Sequence, residues 1–203
     1  MPFEKIVQES NATKSTPLHI TCTQSRCQDN LHCYKKSRKM SEGEKGKCRL
    51  CGIDLVDWAR VHRKDLSDIA YTFQMLKTEL VRHDFWHKKV DQRANNHALR
   101  KGLRELRFDA RKRLNSSIAK PKNYREGYQT PWEGNVIYYA QHATACCCRK
   151  CIEYWYDIPM GIQLTDEQIN YFVELLMMYI VDRMPQLQEH GTKIARIRSN
   201  GKH

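Results

Sequence analysis

Apolar residues recur at helical spacing in three stretches of the chain. Leu66, Ile69, Phe73, Leu76 and Leu80 stand three and four apart, the stripe of a helix packed on one side. Asp65 or Ser67 can cap its start, and His83 and His87 extend the same line if the helix runs on. Leu99, Leu103, Leu106, Ala110 and Leu114 mark the buried face of a second helix starting at Asn95 or Asn96. Gly102 costs that helix about 1 kcal/mol without defeating the pattern. In the third, Ile169, Phe172, Val173, Leu176, Met177 and Ile180 form the core face; Thr165 and Gln168 make a capping box, and Pro185 marks the end.

Two apolar runs read as short strands: Pro17 to Thr21, alternating weakly, and Val136 to Ala140. Each leads into a cysteine cluster. The segments 34–47 and 120–135, rich in Lys, Ser and Gly or in Pro and Gly, read as loops. The expected fold class is therefore α+β, mainly α-helical, with short strands feeding two zinc-knuckle clusters. Residues 1–16 form a disordered tail, 17–60 an N-terminal knuckle region, 61–189 a helical domain with the second cluster, and 190–203 a basic tail.

Composition changes this picture in two ways. Of 203 residues, 40% are hydrophobic and 29% charged, which supports only a modest core, the situation in which a structural metal adds most to folding. Lysine and arginine exceed aspartate and glutamate by 35 to 23, a net charge of +12 that favours polyanions, DNA or RNA first. The longest apolar run, Tyr171 to Val181, is interrupted by Glu174 and too short to span a bilayer, and the N-terminus lacks an export segment. These features predict a cytoplasmic protein without a membrane partner. In that reducing compartment nine cysteines read as metal ligands rather than disulfides.

The cysteines fall into two groups. The first is Cys22, Cys27 and Cys33, then the CxxC pair Cys48–Cys51 followed by Gly52, whose turn brings two thiolates to one ion. Five thiols compete for four places; Cys22, Cys27, Cys48 and Cys51 are the favoured set, with Cys33 the alternate. The second runs from His142 to Cys146, Cys147, Cys148 and Cys151. His142, Cys147, Cys148 and Cys151 make a Cys3His set, which leaves Cys146 as an outward thiol. Two zinc ions per chain are expected; in a rival topology Cys48, Cys51, Cys148 and Cys151 share a single ion.

Two further constellations bear on function. Arg100, Arg104, Arg107 and Arg111 follow the second helix's buried stripe one residue later and, with Lys112 and Arg113, form a guanidinium face suited to phosphate. Lys35, Lys36, Arg38 and Lys39 add a basic patch beside the first knuckle. Glu79, His83 and His87 lie four apart, with Asp84 adjacent, an arrangement that can hold a catalytic metal. The same histidines also continue an apolar stripe, the pattern of interior residues. No phosphate loop, GxSxG elbow or deaminase motif is present.

Gln129-Thr130-Pro131, then Tyr139 to Ala145, Cys147-Cys148-Arg149, Cys151, Ile158-Pro159, Gly161 and Leu164-Thr165 with Glu167 occur in one order over about residues 95–184. In this the chain resembles a small bacterial and archaeal family known as a domain of unknown function. The family has threonine where this chain has Cys146, and often tryptophan-histidine-glycine at Trp155-Tyr156-Asp157. The resemblance implies a fold unit and the second cluster, and no reaction. Together these features predict a zinc-stabilised nucleic-acid-binding module, or an accessory subunit with a protein partner in a larger complex. A nuclease using His83, Asp84 and His87, and a zinc-stapled interaction adaptor, are the alternatives.

Overall fold

The computed structural model describes residues 24–36, 39–121 and 130–194. It contains seven α-helices: α1 (Trp58–Arg63), α2 (Ile69–Lys77), α3 (Leu80–His87), α4 (Gln92–Ser117), α5 (Val136–Ala143), α6 (Arg149–Tyr156) and α7 (Asp166–Arg183). Among the described residues extended pairing is limited to the isolated bridges Arg26–Leu31 and His32–Glu79. The α+β expectation is thus corrected to a helical fold, without a sheet among the described residues. The strand expected at Pro17 to Thr21 lies outside the described residues.

Val136 to Ala140 illustrates why the strand reading failed. The segment is the first part of α5, started by Asn135, whose side chain accepts the Ile137 N–H at 3.0 Å. Val136, Ile137, Tyr139, Ala140, Gln141, His142 and Ala143 are all buried. A helix enclosed on nearly every side shows no polar face, so its period is invisible and a short apolar run imitates a strand.

α7 is the centre of the packing. Its capping box of Thr165 and Gln168 is present, and Tyr171, Leu175 and Tyr179 are buried together with the six apolar positions of its core face. α4 and α5 both pack against it, α3 packs on α5, and α2 joins α3 to α7. α6 packs on α1 and sets Tyr156 against Tyr171 and Phe172 of α7. No helix among the described residues is long and apolar enough to cross a membrane.

Two of the expected helices are broken, each where another segment enters. The first stripe becomes a 3-10 turn (Leu66–Asp68), α2 and α3, interrupted at Thr78–Glu79. There the backbone of His32 intrudes: its N–H donates to Thr78 O at 2.8 Å and its carbonyl accepts from Leu80 N at 2.9 Å. α4 bends at Gly102, which adopts φ 70° and ψ 171°. The segment 188–192 crosses the bend: Leu103 N donates to Gln188 O at 2.9 Å, Arg104 N to Glu189 O at 3.1 Å, and Thr192 N to Leu99 O at 2.8 Å. Gly102 therefore does defeat the continuous helix, and the backbone groups freed by the break are satisfied by the crossing chain.

Candidate metal centres

Two groups of ligand atoms converge, and each can hold a metal ion. The first comprises Cys27, His32, Cys48 and Cys51, whose donor atoms lie within 4.8 Å of one another. The Cys48–Cys51 turn closes through Gly52 N to Cys48 O at 2.9 Å, with Gly52 at φ 73°. Cys27 Sγ stands 3.8 Å from Cys48 Sγ, and Cys51 Sγ 3.6 Å from His32 Nδ1. A tetrahedron with metal–sulfur bonds of about 2.3 Å and a metal–nitrogen bond of about 2.0 Å has edges of about 3.8 Å and 3.5 Å. These two edges match those of a tetrahedral Cys3His site.

Supporting contacts fix this arrangement. His32 Nε2 lies 3.0 Å from Asn30 Oδ1, so its N–H donates there and Nδ1 keeps its lone pair for an ion. Asn30 adopts the left-handed region at φ 58° to close the preceding turn. Burial opposes ionisation of Cys48, but backbone N–H groups of the knuckle outweigh it and hold the thiol at about 6. Tyr34 anchors the segment from the other side, its hydroxyl 3.0 Å from Thr78 Oγ1 and its ring edge-on to Trp58 and Trp155.

Cys147, Cys148 and Cys151 form the second group, also within 4.8 Å. Cys147 and Cys151 are 3.4 Å apart. Hydrogen bonds from Cys147 and Cys151 outweigh burial at Cys148 and place negative charge there first. The loop bearing these thiols is clamped from behind. Gln141 Nε2 donates to Cys146 O at 3.0 Å, Thr130 Oγ1 to Cys147 O at 2.9 Å, and Arg149 to Ile118 O, Pro159 O and Ile162 O.

A buried ion pair lies between the two groups. Arg82 Nε donates to Glu79 Oε2 at 3.0 Å, Nη1 to His142 O at 2.8 Å, and Nη2 to Cys151 Sγ at 3.3 Å. Glu79 also accepts from Tyr154 Oη at 3.0 Å and from Trp155 Nε1 at 2.7 Å. Burial works against the charge on Arg82, and Cys151 and Glu79 outweigh it, so the guanidinium stays a cation.

The remaining candidates are placed as follows. Cys22 lies outside the described residues, and Cys33 is disulfide-bonded rather than part of the thiol group, which corrects the expectation that none of the cysteines forms a disulfide. Cys146 is fully buried, with its thiol donating to Thr144 O at 3.3 Å, and not outward as expected. His142 stands outside the three-thiol group: Nε2 donates to Thr130 O at 3.0 Å, and the ring stacks on Phe85 and on Trp132, which also stack on each other. The ligand that sequence reasoning missed is His32. The spacing Cys27-x4-His32 ahead of a CxxC pair was a usable signal, obscured by two nearer-looking thiols.

His83, Asp84 and His87 do not join Glu79, which is turned inward onto Arg82. The two imidazoles lie 4.0 Å apart and tilted by 34°, with His87 Nδ1 2.8 Å from His83 O. Along α4, the bend at Gly102 separates Arg100 from the rest of the stripe. Arg107 pairs with Glu174, and Arg111 contacts Asp166 and Asn170, so both tie α4 to α7. Arg113 lies over the Tyr138 ring and donates to Gln141, while Arg104 and Lys112 are exposed.

No solved structure matches the chain. The model of a family described as a domain of unknown function, DUF4186, matches residues 70–181, more than half of the sequence. The matched segment carries the three-thiol group and the Glu79–Arg82 pair, whereas all four ligands of the first group precede it. The chain belongs to the DUF4186 family.

Proposed function

We propose that this is a zinc protein with two separate centres, whose metal sites hold the N-terminal segment and the Cys147–Cys151 loop onto the helical body. The observation that carries this reading is the pair of tetrahedral edges at Cys27, His32, Cys48 and Cys51, 3.8 Å for sulfur to sulfur and 3.6 Å for sulfur to nitrogen. Three thiolates and an imidazole are borderline-soft donors that suit Zn2+ over Mg2+ or Ca2+. The first centre is structural, because four protein ligands leave it closed. Its segment has few other anchors: Leu31, Tyr34, Cys48 and Val56 are its buried apolar side chains among the described residues. Metal binding thus supplies folding free energy that apolar burial does not. Elemental analysis of the purified chain is expected to give two zinc ions. One ion would overturn the second centre and leave the first, and none would defeat the reading.

A second reading concerns the partner and rests on α4. Arg104, Phe108 and Lys112 lie four apart on its outer line, and Phe108 is 68% exposed. An exposed ring flanked one turn away on each side by cations suits stacking on a base with contacts to the neighbouring phosphates. With the net charge of +12, this supports binding of single-stranded DNA or RNA. Fluorescence anisotropy with a labelled single strand is expected to show binding that weakens steeply with salt. Phe108→Ala should cost about 1–3 kcal/mol of it. No binding at low salt would overturn the second reading and leave the first intact.

A further inference from the structure

We propose that the Glu79–Arg82 pair makes metal binding at the two centres cooperative, a coupling that rests on the two-centre reading above. His32 is the point of contact on one side. As a ligand of the first centre it contributes Nδ1, and through its backbone it is bonded to Thr78 and Leu80, the two neighbours of Glu79. The break between α2 and α3 thus adopts its shape around a residue that the first metal fixes. On the other side, Arg82 reaches the second centre with a hydrogen bond to Cys151 Sγ and holds the carbonyl of His142 at the end of α5.

Glu79 and Arg82 are only 3% and 4% exposed. In such surroundings their attraction is little screened, and neither can lose its partner without leaving a buried charge. When metal holds Cys147, Cys148 and Cys151 as a fixed anionic cluster, Arg82 has a permanent partner. That fixes Glu79 against Tyr154 and Trp155, and with it the turn that receives His32. When the second centre lacks metal, nothing fixes Cys151 Sγ against Arg82 Nη2, and the line of contacts through Glu79 to the turn that receives His32 loses its anchor at that end. By thermodynamic reciprocity, metal at the first centre favours metal at the second by the same factor.

The test uses 113Cd2+ on the full chain, with a competing chelator setting the free metal. Each centre gives its own cadmium resonance, assigned by its loss in Cys51→Ser or Cys148→Ser. Cys148→Ser is expected to weaken cadmium binding at the first centre about tenfold, and Cys51→Ser to weaken the second by the same factor. In an Arg82→Met background, Cys148→Ser should change the first centre's affinity by less than about twofold. If that background does not fold, Arg82→Lys carries the same comparison, since it keeps the charge but loses the forked donors. Two wild-type resonances with a first-centre affinity indifferent to Cys148→Ser would overturn the coupling alone. Fewer than two resonances would overturn the two-centre reading together with it.

Discussion

The imidazole of His142 lies parallel to the rings of Phe85 and Trp132, with centroids at 4.4 and 4.7 Å, and is 2% exposed. Burial pushes it down to about 4, with the Thr130 carbonyl opposing the shift only in part. The unfolded chain takes up this proton near the ordinary value of about 6.5. A depressed folded value means stability that is complete above that pH and is lost as pH falls from about 6.5 towards 4, by about 3 kcal/mol. Comparison of acid unfolding for wild type and His142→Phe isolates the effect, because thiolate protonation is common to both. The variant should lose less of its own stability across this window, whereas parallel profiles would refute the assignment. The contrast with His32 shows what residue-level reading can reach. Both histidines neighbour cysteines in sequence, and only the three-dimensional surroundings distinguish a ring that offers Nδ1 beside Asn30 from one bonded to the Thr130 carbonyl and packed on two aromatic rings. The two CxxC pairs were legible because their ligands are local. The fourth ligand was not, because the turn at Asn30 sets its direction.

Helices were legible where one face is polar and the cap is local, as in α7. They were misread where a distant segment decides the backbone. The bend in α4 belongs to Gly102 and Gly191 jointly. A Cβ at Gly191 would stand 1.8 Å from Arg100 O, and one at Gly102 would stand 2.4 Å from the carbonyl carbon of His190. Two backbones pass here with no room for a side chain. Gly191→Ala should therefore displace the crossing segment from the break and cost about 1–3 kcal/mol, a loss seen as a lower melting temperature. An unchanged melting temperature would show that the crossing contributes nothing. The α2–α3 break has the same origin, since the His32 backbone that enters it lies more than forty positions upstream. Sequence periodicity ran through Thr78 and Glu79 without interruption, and nothing local marked the site.

At the scale of the molecule, the helical body around α7 and the N-terminal segment are held by different means. The body buries large side chains such as Trp155, Tyr156, Tyr171, Phe172 and Tyr179, and its thiol loop is clamped by Gln141 and Arg149. The segment 24–56 is secured by the His32 bridge, Tyr34 and the first ligand group. The family match, over residues 70–181, begins after those ligands. The net charge that suggested a polyanion was legible at once, but the pairing of Arg107 and Arg111 with α7 was not, because it depends on which helix lies beside α4. The central claim is that His32 completes a tetrahedral zinc centre with Cys27, Cys48 and Cys51. Zinc-edge X-ray absorption on the Cys148→Ser chain, in which that centre alone is intact, tests it most directly. The expected shell is three sulfurs at about 2.3 Å with one imidazole nitrogen at about 2.0 Å; a shell of four sulfurs without imidazole would contradict it.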